Sequence, residues 1–166
     1  MQSYMPLEKG NTWTYDVRVD ATPTVVNLTV KEEAPVGSVS GWLLESEMGE
    51  SRMAWDGDTL LAAELAGTTY WPPIPIFATS GTEWKGVVAT ATTKVSGSAK
   101  VAKSSEELTV GGRVFKTVKC VLDLDASGDR IQLTTWFFPD RGIMRQEQRS
   151  GPGLTRDRFL ECISGP

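Results

Sequence analysis

The sequence predicts a mainly β fold: a single curved antiparallel sheet, forming a half-barrel or barrel of about ten strands with little helix. Three observations carry this. Apolar and polar residues alternate with a period of two through most segments. Turn-forming Gly, Pro, Asp and Asn residues interrupt them at short intervals. No segment carries the i, i+3, i+4 apolar stripe of an amphipathic helix. The chain has 166 residues, 40% hydrophobic and 23% charged, which suits one globular domain. No linker or composition break divides it, so residues 1–166 read as a single β domain.

The elements follow in order. In "TWTYDVRVD", Trp13, Tyr15, Val17 and Val19 share one face of a half-buried strand. "TVVNLTVKEE" repeats the pattern with Val26, Leu28 and Val30 inward and Asn27, Thr29 and Lys31 outward. "SGWLLESEM" sets Trp42 and Leu44 against Glu45 and Glu47. "SRMAW" and "TLLAAEL" flank Asp56-Gly57, a strong hairpin signal. "YWPPIPIF" is expected to be an extended connector, since Pro72, Pro73 and Pro75 remove ladder donors and exclude a central strand. "EWKGVVATATTKVSGSAKVAK" reads as a pair of strands and "EELTVGGRVFKTVKCVLDLD" as the next alternating segment. "RIQLTTWFF", "IMRQEQR" and "LTRDRFLECI" complete the chain, separated by "PDRG" and "SGPG" turns.

One phrase recurs. "PLEKGNTW" places Gly10 three residues before Trp13, and "PIFATSGTEW" places Gly81 three residues before Trp84, 71 positions later. Beyond this phrase the halves do not align; "DGDTLLAAEL" has no counterpart. The Gly permits a turn conformation costly to other residues, and the Trp then enters a strand.

Composition excludes several functions. The net charge of −4 and pI near 4.9 argue against nucleic-acid binding. The chain contains no histidine, which removes the usual general base and every Ser-His or Cys-His pair. With two cysteines, a Cys/His zinc site is excluded. No metal site, cofactor or catalytic residue is read from the sequence, and a non-enzymatic role is expected. Cys120 in "VKCVLDLD" and Cys162 in "RFLECI" are expected to be buried free thiols. In a four-strand meander they lie on the first and fourth strands, about 14 Å apart, beyond disulfide reach unless the sheet curls to join them.

Candidate sites each have a plainer alternative. "DLDASGD" (Asp123 to Asp129) resembles the start of an EF-hand loop, but Thr134 occupies the position of the bidentate Glu, and a hairpin turn accounts for the same residues. The acidic pairs Asp56/Asp58, Glu32/Glu33 and Glu106/Glu107 are expected in turns or at strand ends, solvated and not catalytic. Arg145, Arg149, Arg156 and Arg158 alternate on two late strands. They form either an anionic-ligand patch or a solvated face interrupted by Glu147, Asp157 and Glu161. "NLT" at Asn27 matches a glycosylation sequon within a predicted strand. The aromatic residues Trp13, Tyr15, Trp42, Trp84 and Trp136 either fill a core or line a cavity for a hydrophobic ligand.

The succession "YMPLEKGNTWTY", "PIFATSGTEW", "LTVGGRVFKTVKC", "WFFPDRGIMRQE" resembles a family of uncharacterised bacterial β-rich domains of secreted proteins and lipoproteins. Members begin Pro-Leu-x-x-Gly-x-x-Trp-x-Tyr and end with an aromatic-x-Pro-x-x-Gly-Val/Ile-x-Arg/Lys hairpin. The resemblance spans Tyr4 to about Leu160. It implies a curved sheet similar to the half-barrels of envelope lipoprotein carriers, though their cavity-covering helices have no counterpart in this pattern. Lipocalins offer a second similarity, a Gly-x-Trp strand whose Trp meets an Arg from a late strand. Here the spacing is Gly-x-x-Trp, with Arg156 or Arg158 as the matching Arg.

The resemblance implies an extracytoplasmic binding or scaffold module, with a carrier of an apolar ligand as the alternative. Its partner is then a hydrophobic small molecule or an envelope protein, and membrane attachment requires an anchor outside these residues. The opening "MQSYMPLEKG" has no signal-peptide pattern, so a cytoplasmic location is expected if Met1 is the native start.

Overall fold

The computed structural model describes residues 3–20 and 22–166. Among them are twelve strands: β1 (Thr12–Val19), β2 (Thr22–Val36), β3 (Val39–Ser46), β4 (Gly49–Asp56), β5 (Thr59–Leu65), β6 (Thr68–Phe77), β7 (Glu83–Ala89), β8 (Lys94–Val110), β9 (Arg113–Ala126), β10 (Asp129–Phe138), β11 (Gly142–Ser150) and β12 (Thr155–Ser164). Each pairs antiparallel with its sequence neighbours, and β1 pairs with β12, so the sheet is a closed barrel. The all-β antiparallel expectation holds. The strand number and the half-barrel alternative are corrected: there are twelve strands, and the β1–β12 ladder from Thr14–Ser164 to Val19–Arg158 removes the open edge.

The largest local correction concerns "YWPPIPIF", which lies within β6. The three prolines are tolerated because the ladders lapse around Pro72 and Pro73, while Pro75 pairs on one side only, with Leu61 of β5. β6 meets β7 only through Thr69, Tyr70 and Trp71, and its pairing with β5 is irregular between Ala62 and Glu64. Pro72 and Pro73 therefore have no partner on either side. The carbonyl of Pro72 accepts a hydrogen bond from the Trp84 indole Nε1 at 2.9 Å instead. "EELTV" also belongs to the preceding strand, extending β8 to seventeen residues.

The repeated phrase is one structural unit used twice. Gly10 and Gly81 have φ of +91° and +92°. The Gly10 N–H donates to the Val30 carbonyl at 2.9 Å, and that of Gly81 to Val101 at 2.8 Å. Asn11 and Thr82 close the same i−3 turns onto Glu8 and Thr79, at 3.0 and 3.1 Å. In the barrel order β1 and β7 stand six strands apart, on opposite sides. Each is followed by a long hairpin that reaches across its neighbours. The β2–β3 tip sets Gly37 against Pro73 of β6. The β8–β9 tip sets Phe115 edge-to-face with Phe138 of β10 at 5.1 Å, and the Thr109 carbonyl accepts from Arg145.

One end of the barrel is stoppered by aromatic packing. Met5 is fully buried there, and its carbonyl accepts from Trp55 Nε1 at 2.9 Å. Phe77 contacts Tyr4, Trp55 and Phe137 at centroid distances of 4.9, 5.4 and 5.1 Å. Trp13, also fully buried, donates from Nε1 to the Arg141 carbonyl at 2.6 Å. The residue beside this Trp is thus Arg141 rather than Arg156 or Arg158, which corrects the lipocalin-style match. The opposite end carries the β3–β4, β5–β6, β9–β10 and β11–β12 turns.

Cys120 in β9 and Cys162 in β12 are buried free thiols, as expected. Burial pushes the Cys120 thiol up to about 11 and raises that of Cys162. A thiol reagent at about pH 8 should therefore label neither thiol in the folded chain and both after denaturation. Because folding raises the Cys120 pKa, its protonated form favours the native state. That contribution is complete below the ordinary value of 9.0 and is lost as pH rises toward 11. Denaturation midpoints across this range should fall; rapid labelling of native protein would contradict the burial.

Candidate functional site

Strand alternation sends one set of side chains from every element into the barrel, and the stoppered half is filled by them. Toward the turn end the filling stops, leaving a partly open cavity of about 100 Å³. Its floor includes Tyr15, Val17, Leu122 and Ile143; its upper wall includes Met48, Leu65, Ala66 and Thr68 from the turn end. The floor is fixed by Tyr15, whose hydroxyl donates to the Ile143 carbonyl at 3.0 Å. Burial holds that hydroxyl well above its ordinary pKa, with Cys162 adding to the rise and Arg141 opposing it. It is a neutral hydrogen-bond donor at physiological pH.

A short polar seam crosses this apolar wall: Ser51, Tyr70, Gln146, Gln148 and Arg158. Gln146 Nε2 donates to the buried Thr135 hydroxyl at 3.1 Å, and Ser51 Oγ accepts from the Ala66 N–H at 3.0 Å. Arg158 Nη2 donates to Gln148 Oε1 at 3.0 Å. Burial lowers the Arg158 pKa, with Tyr70 and Asp157 opposing the shift. Burial raises the Tyr70 pKa, and Arg158 draws it back.

The sequence-predicted residues separate. Of the five aromatic candidates, only Tyr15 lines the cavity. Trp13 belongs to the stopper. Trp42 is half-buried opposite Met53 and packs on the core. Trp84 stands one ring behind the cavity wall, edge-on to Tyr70 at 6.2 Å. Trp136 is buried away from the cavity, donates to the Glu106 carboxylate and has the Lys119 and Arg145 cations over its ring at 5.6 and 5.7 Å.

The four arginines do not form one patch. Arg145 binds Glu161 (Nε–Oε2 3.1 Å), while Arg149 and Arg156 each lie 3.5 Å from Glu147, all on the outside. Arg158 alone of the four lines the cavity. Its position was legible, since Arg158, Leu160 and Cys162 alternate with period two. Tyr70 was hidden by the proline run beside it. Gln146 and Gln148 were hidden by the register shift between Trp136 and Phe137 in the β10–β11 ladder, which passes over Met144 and brings both glutamines to the cavity face with Ile143.

Other candidates resolve plainly. "DLDASGD" is the β9–β10 hairpin turn, with Asp125 Oδ1 accepting from the Gly128 N–H at 2.8 Å and Asp123 paired to Arg130. Among the described residues no cluster of three or more metal-ligating side chains occurs. Asn27 sits exposed within β2, its N–H bonded to Glu47 Oε2 at 2.9 Å. An outer recess of about 610 Å³ near β7–β9 is lined by Lys85, Lys100, Asp123 and Arg130, charges of both signs on open surface.

No protein-family model matches the chain, and no curated protein sequence is similar to it. Solved structures share its fold. A predicted lipoprotein from Parabacteroides distasonis superposes with a TM-score of 0.62 at 10% identity, covering 99% of both chains. A predicted exported protein with a YmcC-like fold from Bacteroides fragilis gives 0.59 at 11% identity over 100% of both. The hypothetical lipoprotein YmcC from Escherichia coli gives 0.50 at 11% identity, covering 93% of this chain and 84% of its own.

Proposed function

We propose that this chain is a non-enzymatic, extracytoplasmic binding domain that holds a small apolar molecule inside the barrel. The observation that carries this is the partly open apolar cavity above a stoppered floor. Concave sites lined by apolar groups with a few placed polar ones are the usual form of a small-molecule site. The same architecture in chains described as lipoproteins or exported proteins supports the envelope location. Absence of histidine from the sequence supports a role without general-base chemistry. At about 100 Å³ the cavity suits a compact body, since a dry cavity of about 150 Å³ takes benzene.

Methionine methyl NMR tests the proposal, because Met48 and Met53 line the cavity while Met5 and Met144 do not. Titration with butanol or hexanol should shift the Met48 and Met53 methyl signals saturably, leaving those of Met5 and Met144 in place. Absence of saturation, or equal shifts at all four, would overturn the reading in favour of a scaffold without an internal ligand. Tryptophan fluorescence is a poor reporter here, since no indole lines the cavity.

A further inference from the structure

The polar seam of the cavity is electrically lopsided. Arg18, Arg52, Arg130, Arg145, Arg149 and Arg156 each have a carboxylate oxygen within 4.0 Å. Arg158 has none, as Arg113 and Arg141 also have none, but it alone of these three lines the cavity, where its acceptor is the neutral amide of Gln148. The adjacent Asp157 lies beyond ion-pair distance: its Oδ2 accepts from Ser150 Oγ at 2.5 Å and from Gln148 Nε2 at 3.5 Å, its Oδ1 is buried without a partner, and its charge reaches Arg158 only at longer range. Tyr70 and Tyr15, the phenols of the cavity, are both kept neutral by burial. A guanidinium carries five N–H donors, so a half-buried one with a single amide partner keeps most of its donors unspent. Offset only by an acid beyond ion-pair distance, such a charge gains from a closer anion in low-dielectric surroundings, and a planar carboxylate is the group its fork matches bidentately.

Resting on the binding role above, we infer that the ligand is a small amphiphilic carboxylate. Its head pairs with Arg158 beside Tyr70 and Gln148, and its apolar body lies against Val17, Leu122 and Ile143. The cavity volume limits the enclosed part of that body to about three or four carbons, below the benzene-sized reference, with any further carbons in its open mouth. Polar and apolar requirements are met in one site: the charge lies in the seam and the floor is hydrocarbon.

The test compares hexanoate, hexanol, hexylammonium and hexyl phosphate by the Met48 and Met53 methyl shifts, in the native chain and in Arg158→Gln. Native protein should bind hexanoate at least tenfold more tightly than hexanol and should exclude hexylammonium. In Arg158→Gln the preference for hexanoate over hexanol should fall at least tenfold, and Arg158→Lys should restore part of it. If hexanol binds and hexanoate binds no better, the carboxylate inference fails while the apolar cavity stands. If no compound binds, both fail. Hexyl phosphate binding tenfold more tightly than hexanoate would overturn the carboxylate in favour of a phosphate head. The native-protein comparison needs no substitution, so it decides the question even if the variants fold poorly.

Discussion

Replacing Trp13 by alanine is expected to lower stability by about 3–5 kcal/mol, the range for removing a large buried aromatic. The indole is fully buried at the stoppered end and packs close to Gly142 and Gly165. Its loss opens a void between the first strand and the two that close the ring, and orphans the Arg141 carbonyl that Nε1 now satisfies at 2.6 Å. For a domain of this size each kcal/mol corresponds to about 2–4 °C of melting temperature, so a drop on the order of 10 °C should be seen. Trp13→Phe separates the two contributions. It keeps most of the ring but not the donor, and should cost about 1–3 kcal/mol for the unpaired carbonyl. An unchanged midpoint in the alanine variant would mean that Trp13 does not anchor the barrel.

Trp84→Ala should be comparably damaging, about 3–5 kcal/mol, and for a further reason. The Trp84 indole donates to the Pro72 carbonyl, where β6 has lost its ladder. Gly86 and Gly97, paired across β7 and β8, leave room for the ring; a Cβ at Gly86 would lie 2.6 Å from Trp84 Cζ2 and 2.8 Å from Pro72 Cδ. The control is the nearby Trp71, 68% exposed, whose replacement by alanine should change stability by no more than about 0.5 kcal/mol. Chemical-denaturation midpoints of the two variants check the contrast. Equal losses, or none in Trp84→Ala, would show that the proline segment is held closed by something else.

Much of this was legible because the relevant signals are short. Alternation in "TWTYDVRVD" placed Trp13, Tyr15, Val17 and Val19 on one face; the first three are buried, and Val19, at the end of the strand, is 46% exposed. Asp56-Gly57 is the β4–β5 turn, and the two Gly-x-x-Trp phrases start equivalent strands. The candidate site was less legible. Tyr15 and Arg158 were among the residues singled out, but each was grouped with the wrong companions. Tyr15 was placed with four tryptophans that pack elsewhere, and Arg158 with three arginines that face outward. Whether the aromatic residues fill a core or line a cavity stayed open in the sequence, because their size and hydrophobicity suit both. The prolines of β6 were read as breaking the strand, a sound rule for a residue needing two ladder partners. It failed because the neighbouring strands leave Pro72 and Pro73 unpaired and an indole donor covers the gap.

What the sequence determined by itself was the local grammar: which segments extend, where they turn, that both thiols are buried, and that no histidine-based chemistry is present. Those properties depend on side-chain alternation and turn preferences over a few residues. Closure of the sheet, the stopper at one end, and the isolation of Arg158 inside the cavity were decided only in three dimensions. The first needs β1 to meet β12 across the whole chain, and the second needs Met5, Trp55, Phe77 and Phe137 to converge from four distant places. The third depends on register shifts, each of which turns a strand by one residue and exchanges its inner and outer faces.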